Sequence, residues 1–244
     1  MHMISFVDIH CHALCGVDDG AETEQEMYKM LRMAYDDGVR KLCLTPHYDP
    51  KDEGAHVADT SKAFSLAEAF CRENLPGMTL YRGNELSYRV GCVESLINGQ
   101  CHTLGDTRYV LVDFLAAPNV SEIHRGVSII ANSGYIPIIA HVERYECMKG
   151  QFREIVKLSE EGALLQLNAG SLRYGRLSAE GRLVRRLLSE RVIDMVASDG
   201  HNTVTRQPYL SGAYEIIRAK YGEDYAEILF SVNPERVLSG KRIR

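Results

Sequence analysis

Short apolar runs alternate with longer amphipathic stretches along most of the chain. Seven runs, at residues 4–9, 41–45, 78–82, 109–114, 136–140, 164–168 and 193–197, are almost continuously apolar rather than strictly alternating. That pattern predicts parallel strands covered on both faces. Helical periodicity fills the intervals. Thr23 followed by Glu26 reads as a capping box opening a helix that ends near Gly38. Residues 58–74 form a helical pattern stopped by Pro76, and residues 122–133 and 153–161 run up to the C-terminal breakers Gly134 and Gly162. Residues 179–191 and 209–221 add two more helices. Strand–helix alternation predicts an α/β fold with a parallel sheet. No internal repeat and no long linker interrupts it, so residues 1–244 read as one domain.

Polar residues decide between an open sheet and a barrel. An open sheet binds at a switch point and advertises a Gly-rich loop, but neither GxGxxG nor GxxxxGK[ST] is present. A barrel gathers functional residues at the C-terminal ends of many strands. Here His10 and His12 close the first run, His47 follows the second, and Glu85 follows the third. Asp113 sits late in the fourth, His141 ends the fifth, and Asp199 and His201 end the seventh. Six of the seven runs thus end on a metal-capable side chain. Residues at i and i+2 of a strand face the same side, so His10/His12 and Asp199/His201 are two converging pairs if the last strand lies beside the first. Asp18 and Asp19 add adjacent carboxylates just after the first strand.

Four or more histidines with at least four carboxylates exceed one tetrahedral site and suit two or three divalent ions with mixed nitrogen and oxygen ligands. Manganese, iron and zinc all fit, and closely spaced ions suit phosphate ester hydrolysis. Phosphoryl transfer also needs positive charge on the non-bridging oxygens. Arg144, just past His141, and Arg206, just past His201, stand where that charge is needed.

Composition narrows the setting. The net charge is −5 and no long basic stripe occurs, which disfavours extended nucleic-acid binding. Arg182, Arg185 and Arg186 are assigned to the solvent face of a helix. The seven cysteines are irregularly spaced without CxxC, which fits a reducing compartment and hence the cytoplasm. No signal peptide and no apolar run of membrane-spanning length is visible. Cys11, between two inward histidines, is expected in the core, and His56, His102 and His124 are expected as surface residues without partners. Cys147 and Arg153 satisfy the bare C-x5-R spacing of thiol-dependent phosphatases, but no Gly-rich nest accompanies them.

The motifs DIHCHALCGVDDGA, TPHY, GNEL, AHVERY and SDGHN resemble those of the PHP superfamily, and more narrowly the bacterial CpsB/CapC-type protein tyrosine phosphatases of capsule and exopolysaccharide synthesis. The resemblance spans about residues 4–240. It implies a distorted seven-stranded (β/α) barrel with a trinuclear, often manganese-dependent centre. It further implies that His10, His12, Glu85 and Asp199 hold one ion, and that Glu85 bridges to a second held by Asp113 and His141. On the resemblance alone, Asp19 rather than Asp18 is expected to join His47 and His201 at the third, and Arg144 and Arg206 to contact phosphate. The implied substrate is phosphotyrosine on a bacterial tyrosine kinase, at its tail, that controls polysaccharide chain length. Asp113 stands where the group usually carries Glu. Val142 replaces a usual proline and Gly200 a bulkier residue, and both are expected to loosen their loops.

Two other readings carry the same residues differently. One is a small-molecule phosphatase of the histidinol-phosphate type. The other is a metal-binding regulator of polysaccharide assembly without catalysis, to which the shorter Asp113 lends support. A proofreading nuclease is set aside for want of a basic groove.

Overall fold

Most strand residues are buried on whichever face they point to, and this is why the strand runs lack alternation. In a computed structural model, which describes residues 5–52, 57–114, 119–175 and 177–243, nine parallel strand segments occur: β1 (Phe6–Cys11), β2 (Val39–Leu44), β3 (His47–Tyr48), β4 (Thr79–Arg82), β5 (Glu85–Ser87), β6 (Tyr109–Asp113), β7 (Ile136–Ile139), β8 (Leu164–Asn168) and β9 (Met195–Ala197). Ile4, the predicted start of the first strand, and His56 lie outside the described residues. The helices around them are α1 (Glu24–Asp36), α2 (Val57–Asn74), α3 (Cys92–Ile97), α4 (Val120–Asn132), α5 (Phe152–Glu160), α6 (Ala179–Ser189), α7 (Ser211–Tyr221), α8 (Glu223–Glu227) and α9 (Asn233–Leu238). None is long and apolar enough to cross a membrane.

Strands pair in the orders β1-β2-β4 and β3-β5-β6-β7-β8-β9. The second and third predicted strands appear as β2 and β4, and just past them, beyond Thr45-Pro46 and Gly83-Asn84, lie the short further segments β3 and β5. Pro46 has no N–H for a ladder, and a Cβ at Gly83 would lie 2.8 Å from both Cys43 Sγ and Leu104 Cδ2. Backbone bonds from Gly83 N–H to Leu44 O and from Glu85 N–H to Pro46 O, both 3.1 Å, carry the sheet across the breaks. At the other edge Asp199 N–H donates to His10 O at 2.9 Å and His12 N–H to Gly200 O at 2.8 Å. The result is an α/β fold whose parallel strands curve as a half-barrel, with segment 198–200 against β1.

Along β6, Tyr109 and Leu111 point inward to join Val7, Ile9, Ile138 and Met195, while Val110 and Val112 point outward to the helix layer. Period-two alternation thus operates between two apolar environments. Val237 and Leu238 of α9 close the inner cluster from one end, leaving the C-terminal strand ends as the open face.

Local capping sets the helix starts. Thr23 Oγ1 accepts from Glu26 N–H at 3.2 Å, as the capping box predicts. Asn119 caps α4 through Glu122 N–H, so the helix begins two residues before the predicted start. The predicted helix at 209 begins instead at Ser211, because the Asp37 carboxylate accepts from Leu210 and Ser211 N–H at 2.6 and 2.9 Å.

Candidate metal centre

The end of β1 directs His10 and His12 to one side, as i, i+2 spacing requires. Their Nε2 atoms lie 3.0 Å apart. His10 Nδ1 contacts Gln166 Oε1 at 3.0 Å, and His12 Nδ1 contacts Asp18 Oδ2 at 2.7 Å. Asp18 also accepts from the backbone N–H groups of Gly20 and His47. It is thus a support for the His12 ring and its loop. Gly20 is required there, since any Cβ would overlap the His12 carbonyl oxygen.

Glu85 is the common element. Its Oε2 lies 3.5 Å from His10 Nε2, 3.4 Å from His12 Nε2 and 2.9 Å from His47 Nδ1, and its Oε1 lies 2.7 Å from His141 Nε2. Three overlapping groups have ligand atoms within 4.8 Å of one another: His10/His12/Glu85, Glu85/Asp113/His141 and His12/Asp19/His47/His201. Asp199 joins the first group, with Oδ1 at 3.3 Å from His10 Nε2 and 3.6 Å from His12 Nε2. Asp19 Oδ1 stands 3.2 Å from His47 Nε2 and 3.4 Å from His201 Nε2. Of the adjacent aspartates, Asp19 therefore belongs to a donor group and Asp18 lies behind it. His10, His12 and Glu85 are fully buried, whereas the Asp19 and His47 side chains are 64% and 39% exposed, so the third group faces the solvent entrance.

Two of these residues bear backbone strain. His141 (φ 34°) and Asp199 (φ 52°) are among four non-glycine residues with positive φ in the described chain. Such conformations persist where the surroundings impose them, often at functional sites.

Electrostatics favours a cation. Burial opposes ionisation of Glu85 and Asp199, yet the surrounding histidines, with Arg206 beside Asp199, hold both carboxyls below their usual range. Burial likewise opposes charge on His12, but Asp18 and Glu85 lift it to about 10. His201 moves the other way, to about 4, through burial and the neighbouring His12. Glu85 Oε2, His141 Nδ1 and His201 Nε2 are buried without a hydrogen-bond partner. Unsatisfied nitrogen and oxygen donors converging on ionised carboxylates are the donor set that divalent cations require, so the residues fit the implied metals.

Arg144 and Arg206 both reach Asp199 Oδ2, at 3.2 and 2.6 Å, and line a cleft of about 420 Å³ with Arg173, Tyr174 and Tyr209. Cys147 and Arg153 do not line that cleft. Burial pushes the Cys147 thiol up, the wrong direction for a nucleophile. Cys11 is buried, as expected.

Several expectations need correction. His124 is not partnerless: its Nδ1 lies 2.7 Å from Glu161 and its Nε2 3.4 Å from Glu154. Gly200 does not loosen its loop, because a Cβ there would lie 2.8 Å from Pro208 Cβ. Val142 is fully buried in the core. Arg182 and Arg186 are solvent-exposed, as assigned, but Arg186 also stacks over the Phe152 ring at 3.9 Å. Sequence reasoning passed over Gln166, Asn168 and Glu143, all buried beside the centre. Polar residues at 166 and 168 inside an apolar strand were the available signal.

A family model described as "Capsular polysaccharide synthesis, CpsB/CapC" matches residues 6–239. The chain is 30% identical over 242 residues to the tyrosine-protein phosphatase CpsB of Streptococcus pneumoniae, covering 97% of this chain and 100% of that protein. It is also 30% identical over 242 residues to the tyrosine-protein phosphatase YwqE of Bacillus subtilis, covering 97% and 93%. A solved structure from work on YwqE and CpsB, described as unique metal-dependent tyrosine phosphatases, superposes with a TM-score of 0.84 at 29% identity, covering 98% of this chain and 96% of that one.

Proposed function

The chain belongs to the CpsB/CapC family of capsular polysaccharide synthesis, and on that premise we propose that it is a metal-dependent protein tyrosine phosphatase whose substrate is the phosphotyrosine-bearing tail of a bacterial tyrosine kinase. The observation that carries this reading is the packing of four histidine rings, His10, His12, His47 and His141, within 3.5 Å of the buried Glu85 carboxylate. The curated relatives CpsB and YwqE carry the same activity in their names.

We read β2 with β3, and β4 with β5, as single interrupted strands, which makes the sheet a distorted seven-stranded (β/α) barrel of one domain over residues 1–244. His10, His12, Glu85 and Asp199 would hold one divalent ion, Glu85, Asp113 and His141 a second, and Asp19, His47 and His201 a third. Manganese is favoured, with iron and zinc also suited to these donors. Such ions supply Lewis acidity that activates water and withdraws charge from the phosphoryl group.

The chain's own residues do the rest. Arg206 and Arg144 present guanidinium donors at the cleft and bind the equatorial phosphoryl oxygens. Asp199 holds both arginines in place through Oδ2. Tyr174 and Tyr209, each about two-fifths exposed (40% and 38%), give the cleft aromatic walls suited to a phenyl ring. Tyrosine leaves as a phenolate with a pKa of about 10 and so needs little protonation. Buried Glu85 and the burial of His10 and His12 keep bulk water from the inner side. The seven free cysteines support action in the reducing cytoplasm.

The test compares turnover of a phosphotyrosyl peptide and of histidinol phosphate by chelator-treated protein before and after manganese is restored. Peptide turnover that appears only with manganese supports the proposal. Undiminished turnover in chelator overturns it, and a higher kcat/KM for histidinol phosphate shifts the substrate to a small molecule.

A further inference from the structure

The sixth predicted strand, β8, ends without a metal-capable side chain, yet it lies against the centre. Gln166 and Asn168, at i and i+2, point to the same side and are 0% and 8% exposed. Gln166 Oε1 accepts from His141 N–H at 3.1 Å. Gln166 Nε2 donates to Asn168 Oδ1 at 2.7 Å, and Asn168 Nδ2 donates to Asp199 Oδ2 at 2.6 Å.

The direction of this relay is fixed by its ends. A backbone N–H only donates, and an ionised carboxylate only accepts. Both amides are therefore oriented without ambiguity, although their oxygen and nitrogen atoms are similar in shape. One consequence concerns His10, whose Nδ1 lies 3.0 Å from the same Gln166 Oε1. Facing an acceptor, Nδ1 must carry the proton. That leaves Nε2, which faces Glu85, Asp199 and His12, as the atom available to a cation. The other consequence concerns Asp199. Its Oδ2 receives Asn168, Arg206 and Arg144, which leaves Oδ1 turned toward His10 and His12. Glu143 anchors the far side, its Oε1 accepting from Asn168 N–H at 3.2 Å and from the Ser171 hydroxyl at 2.6 Å.

We propose that Gln166 and Asn168 are positioning residues, a two-amide relay that fixes the His10 ring and the rotation of the Asp199 carboxylate so that both present metal-binding atoms to the centre. The role rests on the metal-dependent reading above. Partners of this kind set ligand orientation, and their loss typically weakens metal affinity or activity by roughly 10–100-fold.

The experiment uses the full chain as wild type, Gln166→Leu, Gln166→Glu and Asn168→Ala. The His10 Nδ1–H resonance is followed by NMR in the metal-free proteins, manganese affinity by calorimetry, and kcat and KM on a phosphotyrosyl peptide. Gln166→Leu is expected to lose the protected His10 resonance and to bind manganese roughly 10–100-fold more weakly. Gln166→Glu keeps the acceptor and restores the resonance. Asn168→Ala keeps it but weakens manganese binding, and lowers kcat more than it changes KM. A folded Gln166→Leu with unchanged resonance and unchanged manganese affinity overturns the relay. If Gln166→Leu does not fold, Asn168→Ala decides: weaker manganese binding supports the relay, and manganese affinity and kcat equal to wild type overturn it. If wild type binds no manganese, the metal reading fails, and the His10 resonance alone decides whether Gln166 positions the ring.

Discussion

His10 and His12 face each other with their Nε2 atoms 3.0 Å apart, while the Nδ1 atom of each ring is engaged by Gln166 and Asp18 respectively. Two lone pairs do not share that gap without a cation. In metal-free protein a proton fills the role: burial opposes it, but Asp18 and Glu85 lift His12 to about 10.

Metal binding must therefore displace that proton. His12 is protonated in the metal-free state at neutral pH, so apparent manganese affinity should rise with pH toward about 10, about tenfold per pH unit for each proton released. Calorimetry in buffers of different ionisation enthalpy counts the protons. Affinity that is flat between about pH 6.5 and 8.5 contradicts this account.

Arg206 grips Asp199 Oδ2 at 2.6 Å and Arg144 at 3.2 Å, with both at the cleft wall. Replacing either by Ala should lower kcat/KM on a phosphotyrosyl peptide by roughly 10²-fold, as loss of a charge-stabilising donor does. Arg206→Lys should recover little, because a point charge cannot reproduce the guanidinium fork. Full recovery by Lys would show that Arg206 acts through charge alone.

Burial pushes the Cys147 thiol up, so the thiolate is scarce at neutral pH. Cys147→Ser should retain wild-type kcat, and iodoacetamide should not inactivate the enzyme. Loss of turnover on either treatment would revive a thiol mechanism.

Gly20→Ala should be destabilising, because the new Cβ overlaps the His12 carbonyl oxygen and crowds its Cβ at 2.7 Å. The expected cost is about 3 kcal/mol, equivalent to roughly 6–12 °C in Tm. A melting temperature within about 2 °C of wild type would show that the turn can move away.

The sequence exposed most of this arrangement because its signals are local. HxH on a strand puts two rings on one side, and the run at residues 109–114 places Asp113 at the end of an apolar strand. What stayed hidden depends on distant partners. The break between β2 and β3 rests on Pro46, whose carbonyl is claimed by Glu85 N–H from the next strand. Asp18 and Asp19 are adjacent, and only the turn through Gly20 sends one behind His12 and the other to the entrance. His124 looked partnerless because Glu161 lies 37 residues away. Gln166 and Asn168 escaped notice because amides do not titrate and the strand-end pattern is one of histidines and carboxylates, though burying amides inside an apolar strand demands partners.

The most direct test of the central claim is elemental analysis of the purified protein coupled to its turnover of a phosphotyrosyl peptide, for wild type and His141→Ala. The account predicts two to three equivalents of divalent metal per wild-type chain, and turnover that is lost with chelator and regained with manganese. It also predicts a folded His141→Ala with less metal and kcat lower by roughly 10³-fold. Wild-type protein that turns over fully while holding no metal would contradict it.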